Sequence, residues 1–262
     1  TSSIPNSRMK SRLLIDNQNN AELKRLVCTS ILIDLPAPII MTDSISSLEG
    51  YDEEQIRMMD ECCIIVDEED NIIGQDTKVN CHLGDGKLHR AFSVLLFNSN
   101  GKLLIQKRAS DKITFPAIWA NSCCSHPLYE DSEINGVDGA RKAAKRKMVQ
   151  ELGVSEDKIN EDELHFITKM HYKARADEKW IEHEIDYIFV ITCDVDIDPN
   201  PNEIDETRYV NPEELEQLFN SNEKIGPWFR LIKENFLNNI WESQENPSVA
   251  ADEKLHKMGE CK

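Results

Sequence analysis

One amphipathic helix stands in the middle of this chain among short, strand-length apolar runs. That order restricts the fold more than any other property of the sequence. Over residues 138–152, Ala140, Ala144, Met148 and Leu152 recur at four-residue spacing, with Arg141, Lys142, Lys145 and Lys147 on other faces. Gly153 is placed to end the helix in a left-handed cap. Upstream, Cys62-Cys63-Ile64-Ile65-Val66, an acidic turn over 67–71 and Ile72-Ile73-Gly74 form a hairpin pattern. Residues 92–97 read as a buried strand, Asn98-Ser99-Asn100-Gly101 as a turn and Leu103-Leu104-Ile105 as the returning strand. Downstream, 166–172 and 185–193 read as strands, Asn211-Pro212 opens a helix to 219, and a last helix covers 227–241. The prediction is an α/β (α+β) architecture, a mixed β-sheet sandwich with flanking helices, without the strict alternation of a doubly wound fold.

A chain of 262 residues buries a proper core in one large domain. Residues 1–50 mix Asn, Ser and charge around a proline-interrupted apolar patch and read as a partly disordered N-terminal extension. Residues 51–242 form the domain, and 243–262 a polar, frayed C-terminal tail. The net charge of −18 argues against nucleic acid as a partner. A small anionic ligand remains compatible, provided local cations offset that field. Eight cysteines, including two adjacent pairs, lack the spacing of a disulfide scaffold. No signal peptide or membrane-length run is visible, so the expectation is free thiols in a cytoplasmic monomer. The final Glu260-Cys261-Lys262 does not read as a peroxisomal signal.

Chemistry concentrates in three short polar interruptions. His82 and His89 flank a segment with two glycines, a loop that brings both rings toward one point. Glu182 and Glu184 are two apart on a strand and share a face with Asp186, while His183, Ile185 and Tyr187 face away. Buried carboxylates on one face repel unless a cation sits between them. With His126 they make a three-nitrogen, two-oxygen shell suited to Zn2+, Mn2+ or a related ion. In Asn121-Ser122-Cys123-Cys124-Ser125-His126, one thiol is a buried small hydrophobe and the other faces the polar side. A thiol beside a metal or imidazolium is expected to have a lowered pKa and to act as base or nucleophile.

Glu151-Leu152-Gly153 resembles the end of the Nudix box. Gln150 and Lys147 stand where that pattern expects metal-binding glutamates, which weakens the alternative of a Nudix-type diphosphate hydrolase. Longer motifs carry a fuller resemblance. They are Asn80-Cys81-His82-Leu83, Leu88-His89-Arg90-Ala91-Phe92-Ser93, Lys112-Ile113-Thr114-Phe115-Pro116 and Cys123-Cys124-Ser125-His126-Pro127. Further along come His171-Tyr172-Lys173-Ala174, Glu182-His183-Glu184-Ile185-Asp186-Tyr187, Pro201-Asn202-Glu203 and Pro227-Trp228-Phe229. On these the chain resembles the type 1 isopentenyl-diphosphate delta-isomerases, which implies a Nudix-like fold and isomerisation of a prenyl diphosphate in isoprenoid and sterol biosynthesis. The resemblance implies Cys124 as catalytic thiol, Glu184 as catalytic carboxylate and acid, and Tyr172 as relay. It implies a divalent-metal shell of His82, His89, His126, Glu182 and Glu184, with Glu151 holding a Mg2+ that accompanies the diphosphate. It also implies substrate contacts from Lys78, Arg108, Lys112, Ser125 and Trp228. Ala120 and Ile181 depart from the family's threonine and glycine.

Overall fold

The computed structural model describes residues 47–261; of the extension expected over 1–50, residues 1–46 lie outside them. Apolar alternation decides the central strands. In β3 (His89–Phe97), Phe92, Val94 and Leu96 enter one core while Leu95 and Phe97 enter another. Residues of opposite parity on a strand face opposite sides, so a strand apolar on both faces must lie between two packed layers. Its parallel neighbour β8 (Ile181–Thr192) does the same, with Ile185, Tyr187, Phe189 and Ile191 on one side and Ile188 and Val190 on the other. The ladder runs from His89↔Glu184 to Phe97↔Thr192.

Beside β3 lie β1 (Cys62–Val66) with its hairpin partner β2 (Ile72–Thr77), and β6 (Cys123–Ser125), which pairs Cys124 with Ser93. The Asn98–Gly101 turn returns the chain into β4 (Leu103–Arg108), which also pairs β5 (Trp119–Ala120) and β9 (Ile204–Val210). On the other flank β7 (His165–Arg175) runs antiparallel to β8. Two short helices precede the site-bearing strands, α1 (Glu53–Met58), capped by the Asp52 side chain, and α2 (Lys78–His82). The long helix α3 (Gly136–Leu152) lays Ala140, Ala143, Ala144, Met148 and Leu152 on the core under Phe92 and Tyr187. The opposite core is closed by α4 (Pro212–Phe219), with a capping box at Asn211, by α5 (Pro227–Ile232) and by α6 (Asn238–Glu242).

Four features differ from the sequence expectation. The last helix is not continuous: Lys233–Leu237 widens into a π turn between α5 and α6. Polar β9 and β10 (Leu255–Cys261) are strands all the same, and the expected frayed tail is thereby corrected. β10 adds to β7 in parallel, pairing Gly259 with Tyr172 and Cys261 with Ala174. Backbone pairing needs no apolar periodicity, so edge strands of this kind escape a pattern search. Folded structure also begins before residue 51: Leu48 is buried with Met59, Val79, Ile113 and Trp180.

Gly153 ends α3 at φ 65°, and a β-carbon there would lie 1.9 Å from the Asp198 carbonyl oxygen. That approach lets Asp198 N donate to the Leu152 carbonyl and Asn200 N to that of Glu151, at 3.0 and 2.9 Å. The glycine therefore docks the 198–203 loop on the helix end that carries Glu151. Gly153→Ala is expected to destabilise the protein by about 2 kcal/mol or more, combining left-handed strain with the clash. Urea denaturation measures this, and an unchanged midpoint would refute the packing account.

Candidate active site

Glu184 is a buried carboxylate whose two oxygens meet different neighbours. Its Oε1 lies 2.9 Å from His126 Nε2, 3.5 Å from His89 Nε2 and 3.9 Å from His82 Nε2. Its Oε2 accepts from the Tyr172 hydroxyl at 2.7 Å, and the same hydroxyl is 2.9 Å from Glu182 Oε2. The strands create this meeting. His89 opens β3 opposite Glu184 on β8, Tyr172 faces Glu184 from β7, and His82 ends α2.

The histidines are set up as ligands. His82 Nδ1 bonds the Lys78 carbonyl and His89 Nδ1 that of Lys87, each at 2.7 Å. Those bonds put the proton on Nδ1 and leave each Nε2 with a free lone pair, the usual tautomer of a metal-ligating ring. Among the described residues, His82 Nε2, His89 Nε2 and His126 Nδ1 are buried without a hydrogen-bond partner. One ligand atom from each of His82, His89, His126 and Glu184 falls within 4.8 Å of the others. Buried, lone-pair-bearing nitrogens around one carboxylate suit a divalent ion far better than they suit an empty core. Glu182, expected in the same shell, lies outside this group of four, and its Oε2 is turned to Tyr172.

Electrostatics agree with crowding around a single charge. Burial and the adjacent rings push His82 well below the usual imidazole range, and burial takes His126 down to about 3. Burial also opposes a charge on His89, but with no cation beside it Glu184 overrides this and raises His89 to about 9, a proton on Nε2 whose place a bound cation would take. Burial would raise Glu184, yet His126 and His89 hold it well below the carboxylate range. Glu182, buried beside Glu184, is pushed up to about 8.

The cavity in front of Glu184 is lined by Lys78, Arg108, Lys112, Cys124, Ser125, His126, Glu151, Tyr172, Glu182, Glu184 and Trp228, all named from the sequence. His82 and His89 stand behind Glu184 rather than on the wall. Cys123 is fully buried in the α3-side core with its Sγ 3.7 Å from Glu151, whereas Cys124 is open to the cavity. Burial raises Cys124 to about 12 despite Arg108 Nη1 at 3.8 Å, the reverse of the lowered thiol expected from the sequence. Desolvation outweighs one cation at that distance. Arg108 is pinned by the Phe115 and Thr114 carbonyls at 3.1 and 2.9 Å and stacks over Trp228, whose indole donates to Asn121 at 2.9 Å. Ile181 is fully buried, its Cγ2 packed over Gly86, so the larger side chain is absorbed on the face away from Glu182.

Sequence reasoning gave no site role to several wall residues, Lys147, Ser93 and Asp186 among them. Lys147, read as a residue of the helix's polar faces and as a departure from the Nudix box, is instead buried at the cavity wall, 3.0 Å from Glu151. Ser93 and Asp186 also line it, joined by a 2.8 Å hydrogen bond. Asp186 was placed on the face of Glu184 but given no role, and helical spacing puts Lys147 one turn before Glu151.

A mixed sheet between helices, with a box-like helix bearing its last glutamate over a cation-lined cavity, defines a NUDIX-domain protein. The sequence matches that domain over residues 87–231. The crystal structure of DR0079 from Deinococcus radiodurans shares the fold, with a TM-score of 0.50 at 18% identity over 66% of this chain and 98% of that one. Closer relatives resolve the branch. The chain is 47% identical to the isopentenyl-diphosphate delta-isomerase of Gibberella zeae, over 80% of its own length and 86% of the relative's. It is 45% identical to that of Bos taurus, over 81% and 98%, and 44% identical to a chloroplastic one of Arabidopsis thaliana, over 88% and 84%. This chain belongs to the isopentenyl-diphosphate delta-isomerase family. No described helix is long and apolar enough to cross a membrane.

Purified protein is expected to retain a tightly held divalent metal, measured by elemental analysis after dialysis. Replacing His82 and His89 together with Ala should release it, and retention in that variant would show that the ion sits elsewhere.

Proposed function

We propose that this chain interconverts isopentenyl and dimethylallyl diphosphate by acid–base proton addition and removal through a carbocation-like state. One observation carries the reading: Cys124 and Glu184, on strands flanking β3, line a single cavity whose wall also holds Lys78, Arg108, Lys112 and Lys147. Moving the double bond adds a proton at one carbon and removes another two carbons away. Two groups must therefore reach the olefin, holding one exchangeable proton between them.

One of the pair gives a proton and the other receives one, and the labels exchange with the direction of the reaction. Burial makes the Cys124 thiol a weak acid, whereas a cation held beside Glu184 would raise the acidity of that carboxyl. The carboxyl therefore gives the proton to the alkene and the sulfur receives the other, the roles expected from the sequence. Tyr172, bonded to both Glu184 and Glu182, gives the carboxylate end a route for returning the proton. An indole beside the olefin stabilises a developing cation by about 2 kcal/mol when desolvated, roughly thirtyfold in rate. Trp228 lines the cavity and fits that role.

The cations bind the diphosphate remote from the chemistry, together with Ser125, and offset the chain's acidity. His82, His89, His126 and Glu184 would hold a Zn2+ or Mn2+ ion, with Glu182 close by, and Glu151 would help hold Mg2+ arriving with the diphosphate. A bound cation there neutralises buried carboxylate charge and raises the acidity of groups touching it. The partner is a small prenyl diphosphate, and a cytoplasmic monomer is the proposed state.

Incubation with isopentenyl diphosphate in deuterated water is expected to give labelled dimethylallyl diphosphate. Cys124→Ala and Glu184→Gln should each lower kcat by about a thousandfold or more, while Cys123→Ala should affect stability rather than turnover. Phosphate release without isomer would favour hydrolysis, and an active Cys124→Ala variant would mean that this thiol is not one of the acid–base pair.

A further inference from the structure

Glu203 is 3% exposed, and among the described residues its Oε1 has no hydrogen-bond partner. Its other oxygen lies 2.6 Å from Lys112 Nζ, an ion pair across 91 residues of sequence with both side chains nearly withdrawn from solvent. The surrounding backbone is built to hold it there. Ala109 N donates to the Glu203 carbonyl at 2.9 Å, and Glu203 N donates to the Asn200 carbonyl at 2.9 Å. Asn200 N is in turn tied to Glu151, and the Gln55 amide clamps Asn202 at 2.6 and 3.0 Å.

A buried ammonium needs a counter-ion to keep its proton, because desolvation favours the neutral amine. Lys112 is faced by Glu203 and Glu151 but also by Arg108 and Lys78, while Glu203 is faced by Lys112, Lys147 and Lys78. Resting on the reading of Lys112 as a diphosphate contact, we propose that Glu203 is a positioning residue. It keeps the Lys112 ammonium charged and fixed at the cavity wall without itself touching the substrate. An ammonium has three donors; one goes to Glu203, leaving two for an anion in the cavity.

The sign of the pH dependence follows. Burial, with Arg108 and Lys78, draws Lys112 down to about 8 against the pull of Glu203. Its charge is present below that value and lost as pH rises through it. Removing Glu203 takes away the main opposing charge, so the loss moves to lower pH. A carboxylate that merely crowded the site would act in the other direction, since its removal would favour an incoming anion at every pH.

The test is calorimetric binding of inorganic pyrophosphate with Mg2+ between pH 6 and 9, using full-length wild type, Glu203→Gln, Lys112→Ala and the double variant. At pH 7.5, Glu203→Gln is expected to weaken binding about tenfold, the scale of one charge-assisted hydrogen bond, with its binding limb falling earlier in pH than that of wild type. In the Lys112→Ala background, Glu203→Gln should have no further effect. The pyrophosphate's own titration is common to all four proteins and cancels. Should Glu203→Gln not fold, Glu203→Asp, one methylene shorter, should show the same pH shift to a lesser degree. Equal or tighter binding by Glu203→Gln, or an undiminished effect in the Lys112→Ala background, overturns the proposal. Wild type that isomerises isopentenyl diphosphate while Glu203→Gln binds normally sinks this inference alone; wild type without isomerisation sinks the reading on which it rests.

Discussion

A carboxylate buried among imidazoles is the constraint from which the rest of this site follows. Glu184 cannot lie 5% exposed with a full negative charge unless its oxygens are compensated. The His126 ring on one side and the Tyr172 phenol on the other provide part of that compensation, and the His82 and His89 nitrogens are placed to share a cation with it. Satisfying both sides at once needs β3, β7 and β8 in one register, because His89, Tyr172 and Glu184 face each other only along that ladder. The two-sided apolar character of β3 and β8 secures it, since a slip by one residue would turn Leu95 and Val94, or Ile188 and Phe189, toward the wrong cores.

The same sheet separates the acid–base ends. Cys124 reaches the cavity from β6, on the other side of β3 from Glu184, and its neighbour Cys123 is spent on the hydrophobic core. The binding end is assembled differently, from segments far apart in sequence: Lys78 on α2, Arg108 at the end of β4, Lys112 just beyond it, and Lys147 with Glu151 on α3. A chain with net charge −18 thus presents a locally cationic wall.

How much of this could be read from the residues depended on local periodicity. α3, the β1–β2 hairpin and the paired glutamates of β8 announce themselves because their spacing is local. The shared orientation of Glu182, Glu184 and Asp186 followed from strand alternation alone. The placement of Lys147 was open to the same reasoning, as it lies one helical turn from Glu151, but comparison with a hydrolase pattern drew attention to what was missing there. The direction of the Cys124 shift was not legible, because desolvation depends on tertiary enclosure. Nor was the Glu203–Lys112 pair, which joins residues from distant loops. β9 and β10 lacked the alternating apolar signature and owe their conformation to the strands they join.

The Lys147–Glu151 contact on α3 has a chemical corollary. A hydrolytic enzyme of this fold class needs several carboxylates to ready an attacking water, and here the helix offers an ammonium 3.0 Å from its surviving glutamate. Such a helix can still grip an anionic tail while leaving no spare acceptor to strip a proton from solvent. A catalyst that returns its ligand to the pool in both directions must leave the anhydride bond uncut, and an ammonium set against the helix's one glutamate suits that requirement.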